Sequence, residues 1–167
     1  MRKWLRLCVL AVTLDAHEVE ANRATLVLRD KTHLSLTLYL NYSAALHRAL
    51  QPQREFGVFL VMYSSMPLGE FEKEMRRART KLEAGLQVRA NGAPARLEFT
   101  GWNWPDAKTT QALLQRQIMQ ATIEGHVHEP PTEVKAEAVA GKEVATVNVK
   151  FPAEFLKVLL VSYRPSQ

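Results

Sequence analysis

The chain has one cysteine, Cys8, close to its start, so no disulfide can form within a single copy. Glycine and proline, seven and eight in 167 residues, are sparse and scattered, and no low-complexity tract or internal repeat is visible. That leaves neither a disordered tail nor a solenoid indicated. The apolar run over residues 7–14 falls far short of the ~20 residues that a membrane-spanning helix needs. Motifs of catalysis are missing too: no Gly-x-Ser-x-Gly elbow, no phosphate loop and no His-Glu-x-x-His. Ser64 and Ser65 fall at an expected helix end, where a cap or turn accounts for them. Nothing here supports an enzyme.

What is present begins with an export signal. Arg2, Lys3 and Arg6 form a basic start, residues 7–14 are apolar apart from Thr13, and Ala16 offers a small residue for cleavage. The alternative is a first strand or helix of a cytoplasmic protein. With cleavage after Ala16, the expected product is a single exported domain, 17–167, periplasmic or secreted. Cys8 leaves with the signal. Loss of Arg2, Lys3, Arg6 and Asp15 takes the formal charge from +5 to +3, too small an excess to imply nucleic acid.

The rest of the chain reads as α+β. "VEANRATLVLR" and "HLSLTLYLNY" alternate with period two around Asp30-Lys31, which predicts a hairpin. The period then lengthens over about residues 43–84. Ser43 is placed to cap a helix over 44–50, and Phe56, Phe59, Leu60 and Tyr63 make a stripe. Leu68, Phe71, Met75, Ala78 and Leu82 mark a longer helix ended by Gly85.

Strands return around the Asn91-Gly92 turn signal, with Leu86 and Val88 on one side and Leu97 and Phe99 on the other. A short helix follows Pro105, and "QIMQATIEGHVH" is expected as a strand with Met119, Ala121, Ile123 and Val127 on one face. Three more strands close the chain. The last, "FLKVLLVSYR", is apolar on both faces and predicts a central position. Together these make about eight strands in an antiparallel sandwich, with a helical insertion between the second and third.

Two groups of residues can carry binding chemistry. On the expected strand, His126 and His128 at i, i+2 share a face with Glu124, a spacing that suits copper, nickel or zinc. His17, as a new amino terminus, would add an amine and an imidazole suited to copper. Solvated strand-end histidines are the plainer account. Trp102 and Trp104 in "GWNWPD" fall on one side of an extended chain and form a ligand or partner platform, or else simply cover a sheet end. The basic run at Arg76, Arg77, Arg79 and Lys81 is interleaved with glutamates and reads as a solvated helix face.

The start "AHEVEANRATLVLRD" after a signal, and "LQVRANGAPARLEF" after a helix, resemble small uncharacterised exported proteins of Gram-negative bacteria. The layout is similar to the extracytoplasmic β-rich domain of HupE-type membrane proteins, which are linked to metal supply for hydrogenase and urease. The membrane helices that carry transport in that family have no counterpart here, and no functional residue carries over. A likeness to periplasmic copper carriers whose mature chains begin with His reaches only His17, without their Met-rich stretch. The expectation is therefore a periplasmic binding or accessory protein that acts on an envelope protein through contacts, without catalysis or cofactor. The alternative is a metal-binding protein built on the His-x-His pair.

Overall fold

The computed structural model describes residues 22–124 and 130–165, and the proposed export signal lies outside them. Among the described residues the chain is α+β, with six strands and four α-helices. β1 (Asn22–Leu28) and β2 (His33–Leu40) form the expected antiparallel hairpin. Asp30 closes its turn by accepting the backbone N–H groups of Thr32 and His33 at 2.7 and 2.8 Å. These two bonds hold its carboxyl below the usual carboxylate range.

Three helices follow: α1 (Tyr42–Leu50), α2 (Phe56–Ser64) and α3 (Leu68–Gly85). They fill the region expected as a helical insertion. Asn41, rather than Ser43, caps α1, its Oδ1 accepting the N–H of Ala44 at 3.1 Å. Ser43 lies one residue inside the helix and is buried. α3 buries Phe71, Met75, Ala78 and Leu82 as the stripe predicted, but Leu68 is exposed. Gly85 ends α3 where a Cβ would lie 3.0 Å from that of Pro152, so the close approach of two chain segments accounts for the glycine.

After β3 (Gln87–Ala90), Asn91 and Gly92 turn the chain with φ of 54° and 68°. The ladder partner of β3 is β5 (Val147–Lys150), not the segment around Leu97 and Phe99. That segment contributes a single bond, from the Leu97 N–H to the Val88 carbonyl at 2.7 Å. The Asn91 side chain explains the choice, because it bonds Glu143, Ala145 and Thr146 and so draws the run leading into β5 to the turn.

The expected strand over "QIMQATIEGHVH" is overturned as far as residue 124, because α4 (Ala107–Glu124) runs through it. Thr110, Leu114 and Gln117 are the buried residues, a helical spacing, whereas Met119 and Ile123 of the alternating set are exposed. Asp106 precedes α4 and accepts the Thr109 N–H at 2.7 Å, which lowers its carboxyl pKa.

β4 (Thr132–Val139), the 3-10 turn Ala153–Phe155 and β6 (Val158–Tyr163) complete the chain. The eight-strand antiparallel sandwich is replaced by a four-stranded mixed sheet, in the order β4-β2-β1-β6, and a separate β3-β5 pair. β6 runs parallel to β1 with Val158 opposite Asn22, so it is an edge strand and not the central one expected. Buried Asn22 fixes this start: its side-chain amide donates to the Phe155 carbonyl and accepts the Asn41 N–H.

One face of the sheet supplies Ala24, Leu26, Leu34, Leu36, Leu38, Leu40 and Val134 to a core closed by Leu82, Leu86, Val88 and Phe155. A second cluster, with Tyr42, Leu46, Phe59, Tyr63, Phe71 and Met75, joins α1, α2 and α3 to Leu114 of α4. α1 and α3 contribute to both.

Candidate functional site

Trp102 and Trp104 do lie together, but their faces are turned on each other. The rings stack at 5.5 Å with 15° between planes, and Trp104 stacks in turn on Tyr42 at 5.5 Å. The Trp104 indole N–H donates to Glu83 at 2.7 Å, and Trp104 touches both core clusters. Such a ladder seals the join between sheet and helices. Burial pushes the Tyr42 phenol up, an effect opposed by the hydrogen bond from Arg79. Trp102 borders a small cavity of about 210 Å³ with Thr80, Glu83, Arg96, Glu98 and Phe99.

His17, His126 and His128 lie outside the described residues. Glu124 is the last residue of α4, so it does not lie on the strand expected there. Among the described residues no three or more His, Cys, Asp or Glu side chains are grouped to hold a metal ion. His33 lies 4.0 Å from Asp30 and 3.8 Å from Glu137 in exposed pairs, and His47 sits against Phe56 and Phe59 with its Nε2 2.7 Å from the Arg54 carbonyl. Ser64 and Ser65 bond the Val61 carbonyl at the end of α2. The basic run on α3 is used internally: Arg76 pairs with Glu72, Arg77 with Glu74 and Lys81 with Glu154, and Arg79 bonds the Pro105 carbonyl.

The surface that stands out is one the periodicity had placed inside. On β6, Leu159 is 57% exposed, Val161 51% and Tyr163 53%, all on the sheet face turned away from the core. Leu160, which shares the inner face with Ala24, is 37% exposed. Beneath the end of β6 an open groove of about 470 Å³ is lined by Leu26, Leu28, Leu34, Val144, Val147 and Tyr163. Arg164 spans it, donating to the Val144 carbonyl at 2.7 Å. Just before the strand, Leu156 is held at φ 53° with its side chain 67% exposed. A branched side chain in the left-handed region and a row of exposed apolar groups are both unfavourable locally, and here they adjoin. A continuous apolar run marked these residues, but the run alone does not separate a central strand from an edge that meets a partner.

The chain matches no family profile, and no curated protein and no solved structure is significantly similar to it.

Proposed function

We propose that this is an exported binding or accessory protein of the Gram-negative envelope, acting through protein contacts and without chemistry of its own. The observation that carries this reading is the row Leu159, Val161 and Tyr163, exposed on the outer face of one edge strand. Exposed apolar residues scattered singly need no account, whereas a contiguous row beside an apolar groove is characteristic of interaction surfaces. The basic and apolar start of the chain, and the likeness of its layout to the extracytoplasmic domain of HupE-type proteins, support placement in the envelope. Among the described residues no helix is long and apolar enough to cross a membrane.

Affinity capture on the full chain from an envelope extract tests this. The expected result is one partner recovered in stoichiometric amount, dependent on the β6 row and lost in a Leu159→Asp/Val161→Asp double variant. Repeated capture of nothing above the level of an unrelated bait would overturn it.

A further inference from the structure

We infer that the free edge of β6 takes an extended segment of the partner as a fifth strand, and that this segment is apolar in its middle and acidic at its ends. The inference rests on the reading of the protein as a binding module and names the kind of partner it meets. Among the described residues the sheet order leaves β6 paired only with β1, so half of its backbone hydrogen-bonding groups face outward. An added strand satisfies such groups along its whole length, and its alternate side chains supply selectivity. The outward face of β6 presents Leu159, Val161 and Tyr163 in succession, which suits β-branched side chains in cross-strand pairs.

Charge defines the ends. From Leu156 to Pro165 the chain has no carboxylate, while Lys157 precedes the strand and Arg164 follows it. The same charges argue against a second copy as the occupant. A second copy would bring the same two cations and no carboxylate to the edge, so antiparallel self-pairing gathers like charges at both ends of the ladder. A foreign strand with a carboxylate at each end meets each cation with the opposite charge instead.

The test uses the full chain and a labelled peptide, Glu-Val-Thr-Val-Thr-Val-Glu with blocked termini, followed by fluorescence anisotropy at low salt. Saturable binding tighter than about 1 mM is expected. The Lys157→Glu/Arg164→Glu variant should weaken it about tenfold, and Lys157→Glu alone should give part of that loss. A peptide with Lys at both ends should show the reverse preference between wild type and double variant. Three results overturn the inference: no saturation with the acidic peptide, equal binding of both peptides by wild type, or a wild-type chain that sediments as a dimer through β6. Protection of the outward β6 amides by residues 1–21 of the same chain, seen as slow exchange without peptide, overturns it as well. Should the envelope partner still be captured at full yield by the charge-reversed variant, this inference fails while the broader reading stands. If no partner is captured at all, it is the broader reading that fails.

Discussion

The two edges of the main sheet are built in opposite ways. The β4 edge is covered: the Glu137 N–H donates to the Thr100 carbonyl at 2.9 Å, and Thr100 returns a bond at 2.8 Å. Two residues along, the Asn103 side chain accepts the Lys135 N–H, and the Asn103 N–H reaches the Lys135 carbonyl. Its outer face alternates Glu133, Lys135 and Glu137, with a Lys135–Glu133 pair at 2.6 Å and Arg29 on Glu137 at 3.4 Å. Charge and a covering segment are standard protections against unwanted strand pairing. β6 has neither: its face is Leu159, Val161 and Tyr163, and no bonded segment covers its far side among the described residues. One edge is closed and the other is left available, within a single sheet.

The largest break in this comparison comes from the strands both edges share. Leu36→Ala, in the middle of β2 and 1% exposed, should cost about 2–5 kcal/mol in urea denaturation and loosen both edges together. Asn103→Ala should loosen the cover of the β4 edge alone, at about 1 kcal/mol, and raise the propensity of the protein to associate, measured by light scattering. At the other edge, Leu156→Gly relieves the positive-φ residue before β6. Against the entropy of glycine in the unfolded chain, the net effect should be a stabilisation of up to about 1 kcal/mol, read as a higher Tm.

Smaller still is Leu159→Ala, expected to stay within about 0.5 kcal/mol because the side chain already faces water. That change should instead reduce partner capture. Acid provides the mildest contrast. The hydrogen bond from Lys135 holds the Glu133 carboxyl below its usual 4.5, so its stabilising contribution is present above that value and lost as pH falls through the folded pKa. Amide NMR shifts along β4 should move in that range, while those of β6, with no carboxylate from Leu156 to Pro165, should not.

How far the fold was legible follows from which physical signal each element carries. The β1–β2 hairpin was readable because Leu34, Leu36, Leu38 and Leu40 alternate strictly and Asp30 supplies turn chemistry. α2 and α3 were readable from aromatic and aliphatic residues at helical spacing. α4 was not, since its buried positions include the polar residues Thr110 and Gln117, and Met119, Ala121 and Ile123 mimic a strand by chance. Long-range pairing was the least legible. That β3 joins β5 depends on Asn91 reaching Glu143, Ala145 and Thr146, and that β6 lies beside β1 depends on Asn22 meeting Phe155, contacts with no local signature. The candidate site shared this fate: the apolar run of β6 was visible, but its exposure was a property of topology.

Hydrogen exchange on the full chain, followed residue by residue with and without the acidic-ended peptide, tests the unequal edges most directly. In the free protein the Lys135 and Glu137 amides should exchange slowly, while the β6 amides facing away from β1 exchange at rates close to those of an unfolded chain. Saturating peptide should slow the β6 set and leave β4 unchanged. Outward β6 amides already as protected as Glu137 in the free chain, or unaffected by peptide, would contradict the account.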